Sequence, residues 1–245
     1  MAELLLHVDN LSKRFGGFVA LDGINLSVQA GERVGLIGPN GSGKSTLVNC
    51  MCGTLRNETG TVRFDGRIVD GLAANQRTHR GMARSFQLPR PFHTLSVAEN
   101  LRIPLLFTAH SRSGRHLTRE ETESRCHELA GLVGLAAKAN KLPRDLTQVE
   151  MRKLELARAM AADPKLLIAD EAMAGLSQSE VTDIVDLLIK LNERGVTIIL
   201  IEHIMRAVMS FSQRLVVLVS GKKIADGPPQ EVVSHPEVIG AYLGQ

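Results

Sequence analysis

The chain has 245 residues, 44% of them hydrophobic and 22% charged, the balance of a soluble globular protein, which excludes a disordered or fibrous chain. Twenty-nine Lys and Arg against 26 Asp and Glu leave a formal charge of +3, too small an excess to argue for nucleic acid, although it allows weak attraction to an anionic membrane face. Aromatic residues are 3%, with no Trp and one Tyr, so stacking platforms for bases or sugars have little to be built from. Cys50, Cys52 and Cys126 suit reduced thiols in a cytoplasm rather than a disulfide or zinc framework. No apolar run approaches the roughly 18 residues needed to cross a bilayer. Met1 to Val8, with Glu3 and no basic stretch, do not read as a signal peptide.

Leu4 to Val8 and Ile24 to Val28 alternate apolar with polar residues, which predicts strands of a mostly antiparallel edge sheet. Arg33 to Ile37 is a buried type of strand that runs into the glycine-rich stretch Gly38 to Gly43, and Lys44 to Cys52 reads as a helix stopped by Gly53. Asp65-Gly66 within Thr61 to Val69 is a hairpin signal. From Leu88 to Ala162 the periodicity is helical and punctuated by Pro89, Pro91, Pro104 and Pro143, which predicts a helical lobe inserted between strands of one α/β core. Capping boxes at Thr118 with Glu121 and at Thr147 with Glu150 mark helix starts in it. Leu166 to Ala169, Val196 to Ile201 and Leu215 to Val219 are further apolar strands, the first two separated by a helix that Ser177 and Glu180 can cap. Strands alternating with helices imply a parallel sheet.

Gly38-Pro39-Asn40-Gly41-Ser42-Gly43-Lys44-Ser45 fits the phosphate-loop pattern G-x-x-x-x-G-K-[ST], placed between a strand and a helix as the chemistry requires. The glycines let main-chain N–H groups converge on phosphate oxygens, and the helix N-terminus adds positive potential. Lys44 is expected to reach the β- and γ-phosphates, Ser45 to offer its hydroxyl to Mg2+, and Thr46 to complete the contact set. Such a site needs a carboxylate at the end of a parallel strand. Asp170 ends Leu166 to Ala169 and can hold magnesium through water, and Glu171 beside it is a base for an attacking water.

At this point the residues resemble an ATP-binding cassette (ABC) ATPase over essentially the whole chain. The resemblance implies ATP and Mg2+ as ligands and an α/β P-loop core, with an antiparallel β subdomain, over about residues 1–87 and 163–245 and a helical lobe over about 88–162. It also implies that Gln87 in Ser85-Phe86-Gln87 senses the γ-phosphate and magnesium, that His203, 32 residues after Glu171, is the switch histidine, and that Phe15 stacks on adenine. Within the family the likeness is to cassettes of branched-chain amino acid importers. It rests on Leu154 to Ala159, Ala174-Gly175-Leu176, Ile201 to Met205 with Val208-Met209, and the tail Val238 to Gly244. Such importers resemble one another in using two different cassettes, two membrane permease subunits and a separate solute-binding protein, with the cassettes at the cytoplasmic face of the membrane.

The sequence departs from the family at the signature, where Leu-Ser-Gly-Gly-Gln is replaced by Leu146-Thr147-Gln148-Val149-Glu150. Thr147 keeps a hydroxyl that can cap the helix. Gln148 and Val149 add Cβ atoms where glycine permits close approach, and Glu150 is expected to turn a negative charge toward a polyphosphate. Ala172 stands where a proline is usual, and Ser177 where an acidic residue or Asn is common. These departures predict a poor donor in trans beside a complete phosphate loop, hence one cassette of a heterodimer. Competing readings are a regulatory cassette that binds ATP without turnover, and a soluble ABC ATPase unconnected with transport.

Overall fold

The computed structural model describes residues 3–86, 88–109 and 117–243. Strands β1 (Leu4–Phe15) and β2 (Phe18–Gln29) form one long hairpin. They outrun the two short apolar runs visible in the sequence because register shifts between Val8 and Leu11 and again between Leu11 and Lys13 absorb the irregular residues, with Asn10 at φ 46. β1 also pairs with β4 (Thr59–Phe64), and β4 turns at Asp65-Gly66 into the short β5 (Arg67–Ile68), giving an antiparallel sheet of order β2-β1-β4-β5.

The second sheet is built from β3 (Arg33–Ile37), β6 (Met82–Ser85), β7 (Leu166–Asp170), β8 (Thr197–Ile201), β9 (Arg214–Val219) and β10 (Lys222–Gly227), in the order β10-β9-β3-β8-β7-β6. All neighbours are parallel except β10, which runs back along β9. Its central strands are buried on both faces and therefore read as continuous apolar runs. Side chains alternate between two cores: Leu166, Ile168, Ile199 and Ile201 face the antiparallel sheet and helix α1 (Lys44–Cys52), whereas Leu167, Ala169, Ile198 and Leu200 face a helical layer.

That layer contains α3 (Val97–Pro104), which continues into a π-helical turn at Leu105–Ala109, α4 (Arg119–Leu132), α5 (Gln148–Ala161) and α6 (Gln178–Glu193). Both predicted lobe capping boxes form: Glu121 accepts the Thr118 N–H at 2.8 Å, and Glu150 that of Thr147 at 2.8 Å. At the head of α6, Glu180 accepts both the N–H and the hydroxyl of Ser177. Helix α2 (Ala74–His79), between β5 and β6, holds the fully buried Arg77, whose guanidinium donates to the Cys50 and Met51 carbonyls and so closes the C-terminal end of α1. The chain ends through α7 (Met205–Phe211), which precedes β9, and then α8 (Pro229–Val233) and α9 (Pro236–Leu243), where Val232 and Val238 pack on Ile37 and Val217. The three cysteines are buried and unpaired. Among the described residues no helix is long and apolar enough to cross a membrane.

Candidate functional site

In a parallel sheet, loops leaving the C-terminal strand ends share one edge. β3 leads into the loop Gly38 to Gly43, its neighbour β8 leads into Glu202 and His203, and β7 ends in Asp170 and Glu171. Three distant segments therefore meet. Gly38 has φ 151, and a Cβ there would stand 2.1 Å from the Leu218 carbonyl. Gly43 has φ 103, and its Cβ would stand 2.6 Å from the Ala20 carbonyl. Only glycine lets the loop lie this close to β9 and to the hairpin.

Lys44 is buried, and its ammonium donates to the Gly38 carbonyl at 2.8 Å and the Pro39 carbonyl at 3.0 Å. Burial pushes it below the ordinary lysine value, while Glu171 and Asp170 act in the opposite direction. Ser42 Oγ is buried and makes no hydrogen bond, and the first turn of α1 has no acidic residue. A loop with an unsatisfied buried hydroxyl, a cationic tip and the uncompensated N-terminus of a helix fits an anionic phosphate chain. Asn40, Gly41 and Ser45 are solvent-exposed, and Pro39 and Thr46 half-buried, along the rim of this loop.

Asp170 is 7% exposed and held by Arg84, whose guanidinium lies 2.5 Å from Oδ2 and also donates to Asn49 Oδ1 on α1 at 2.7 Å. Arg84 comes from β6, a four-residue strand with arginine in its interior that sequence periodicity did not predict. Glu171 has φ 48, a left-handed conformation rare for a residue with a Cβ, fixed by its N–H donating to the Ile201 carbonyl at 2.9 Å. This turn aims its carboxylate at His203, with Nε2 and Oε1 3.0 Å apart. Glu202, between β8 and His203, is only 3% exposed. It accepts the Met173 N–H at 2.8 Å, and burial pushes its carboxyl up to about 7.

Phe15 is half exposed, with the Lys13 ammonium 5.5 Å from its ring centre. It sits opposite Phe18, also exposed, at the tip of the hairpin whose Ala20 touches the phosphate loop. Gln87 lies outside the described residues. Leu146 precedes α5, and Thr147 to Glu150 form its first turn. Here the structure corrects the expectation for Glu150: its carboxylate is turned back into the lobe, paired with Lys138 at 2.7 Å and with the Thr147 N–H. The Lys138 ammonium beside it holds it below the usual carboxylate range, so its charge is already compensated. Val149 packs on the helical core, and the exposed Gln148 lays its amide over Gly175.

The family model described as ABC transporter matches residues 21–174, which takes in the phosphate loop, the signature helix and the strand-end carboxylates. The chain belongs to the ABC transporter ATPases. A second model, described as a branched-chain amino acid ATP-binding cassette transporter, matches residues 222–245. The ABC cassette is 38% identical to the high-affinity branched-chain amino acid transport ATP-binding protein BraF of Pseudomonas aeruginosa, over all of both chains. It is 36% identical to LivG of Escherichia coli, which carries the same description, again over all of both chains. The structure of MJ1267 in its ADP conformation, an ATP-binding cassette of an ABC transporter, superposes with a TM-score of 0.89 at 31% identity, covering 99% of each chain. The cassette MJ0796, dimeric and bound to ADP and Pi, superposes at 0.81 and 27% identity, covering 92% of this chain and 99% of that one. The α/β P-loop cassette fold and ATPase class expected from the sequence are therefore those of the protein.

Proposed function

We propose that this cassette hydrolyses ATP to energise an importer of branched-chain or related amino acids. The observation that carries the reading is the convergence of the phosphate loop, Asp170 and the 3.0 Å Glu171–His203 pair on one sheet edge. Descriptions of the relatives and of the C-terminal family supply the solute class. Main-chain amides of residues 38–46 and Lys44 would bind the triphosphate, and Phe15 would stack on the base. Ser45, Asp170 and Gln87 would hold Mg2+, which when bound neutralises charge between the β- and γ-phosphates. Glu171 would accept a proton from the water that attacks the γ-phosphorus as the bond to the β-phosphate oxygen breaks. His203 would orient that carboxylate and contact the γ-phosphate.

A groove of about 370 Å³ lies between α2, β6, α3 and α5, lined by Phe86, Phe92, Ile103, Pro104 and Phe107. Phe107 is 69% exposed, and Leu88, two residues after Phe86, 68%. Such an apolar patch on a soluble cassette favours docking of a permease helix, with residues 88–100 at the contact. We read the chain as one of two different cassettes on a pair of permease subunits at the cytoplasmic membrane face, served by a solute-binding protein. Gln148 and Val149 support pairing with a partner whose signature is intact. They also support the second reading, a regulatory cassette without turnover.

The test is solute-stimulated ATPase activity of the complex co-purified with its permease subunits. Lys44→Ala should lose nucleotide binding, because alanine cannot replace the charge at the phosphates. Glu171→Gln should retain binding and lose roughly 100-fold or more in turnover. Wild-type turnover in Glu171→Gln would favour the regulatory reading.

A further inference from the structure

Two loops must hold their mutual geometry for Glu171 to meet His203. One runs from Glu171 through Met173 and Ala174 to the start of α6, and the other leaves β8 at Glu202. A single buried carboxyl group joins them: Glu202, next to His203 in the chain, accepts the Met173 N–H through Oε1 at 2.8 Å. The first loop is gripped from its other side by α5. Arg152, two residues beyond Glu150 and itself buried, donates to the Ala174 carbonyl at 3.2 Å, and the Gln148 amide lies over Gly175. Residues 173–175 are thus pinned between the end of β8 and the helix that begins at the signature.

We propose that Glu202 is a positioning residue for hydrolysis, and that with Arg152 it ties the Glu171–His203 pair to the N-terminal turn of α5 through the loop 173–175. A displacement at the head of α5 would then reach Glu171 within the same chain, without passing through the phosphate loop. The atoms on that route are Arg152 to the Ala174 carbonyl, Met173 N–H to the Glu202 carboxyl, and the peptide bond from Glu202 to His203. The partner of Glu202 is the Met173 N–H, on the loop after Glu171 and not on the phosphate loop, so the effect of removing it should fall on turnover and not on nucleotide affinity. The inference rests on Glu171 and His203 being the hydrolytic pair.

Five variants of the assembled transporter, one of them double, separate the possibilities. Glu202→Ala removes the acceptor and should lower kcat at least tenfold, the scale on which small misplacements of a reacting group act, with KM for ATP changed less than twofold. Glu202→Gln keeps an amide oxygen for Met173 and should recover most of kcat. Arg152→Met should lower kcat as well, and its combination with Glu202→Ala should cost less than the product of the two single losses, because both act on one loop. Glu171→Gln is the reference for the underlying reading. Amide exchange in the folded chain gives a readout independent of turnover: Met173 should exchange faster in Glu202→Ala and near the native rate in Glu202→Gln. If Glu171→Gln abolishes turnover while Glu202→Ala does not change kcat, the positioning role is wrong and the hydrolytic reading stands. A parallel rise in KM, multiplicative losses in the double variant, or no gain from the glutamine also overturn it. Full turnover in Glu171→Gln removes the hydrolytic reading itself.

Discussion

Burial of a carboxyl group makes stability depend on pH, and Glu202 sets the sign. Folding raises it from an ordinary value of 4.5 to about 7, chiefly by desolvation, with Glu171 reinforcing the rise while the Met173 and His203 N–H groups and the His203 ring oppose it; Arg152 is the cation beside it. The native state therefore keeps this proton at pH values where the unfolded chain has lost it. The group's contribution is complete below about 4.5 and declines as pH rises through 7, by ~3 kcal/mol at most. Glu202→Gln removes this dependence, so its denaturation midpoint should fall less than that of the wild type between pH 5 and 8. Identical profiles would show that the carboxyl is not titrating in this range. Lys44, Asp170 and Glu171 were legible in the sequence from their place in a loop or at a strand end, and His203 from the family resemblance alone. Arg84 and Glu202 were not, since each takes its meaning from a partner 86 or 29 residues away.

At the scale of elements, the N-terminal turn of α5 combines a sound helix cap with an altered surface. Thr147 and Glu150 were readable as a capping box, but the Lys138 that pairs with Glu150 comes from a separate short turn, and no sequence spacing announces it. The structural result separates three substitutions that the sequence groups together. Gln148→Gly with Val149→Gly should raise turnover at the partner cassette's site, measured in single-turnover hydrolysis with Lys44→Ala silencing this chain's own site. It should also lower helix stability by about 1 kcal/mol per glycine. Glu150→Gln alone should leave partner turnover unchanged, because Lys138 already compensates the charge. An increase from Glu150→Gln alone would mean that the carboxylate acts on the nucleotide despite that pairing. The short strand β6 and the polar, half-buried β10 escaped the sequence reading for a related reason. Both are edge strands of the sheet, where one side needs no apolar neighbour, so neither shows a long apolar run.

Across the whole molecule, the two sheets differ in how far apart their partners lie along the chain. The antiparallel sheet is complete by Ile68 and joins residues such as Leu6 and Phe64. The strand that carries the phosphate loop is enclosed on one side by Thr197–Ile201 and on the other by Arg214–Val219. During synthesis, Gly38 to Lys44 therefore emerge long before either strand that encloses β3 has been made. The Leu218 carbonyl that crowds Gly38 and the Gly221 N–H that donates to Ser42 are made near the end. Long-range pairing of this kind is slow, and the intermediate exposes an unpaired strand. Nascent chains stalled before Val217 should gain no resistance to limited proteolysis from ATP, whereas chains extending past Gly221 should. Protection of the shorter chains would show that β3 finds another partner. If nucleotide binding waits for β9 and Gly221, ATP stabilises only copies in which those residues have been made, and the earlier steps of folding proceed without its help.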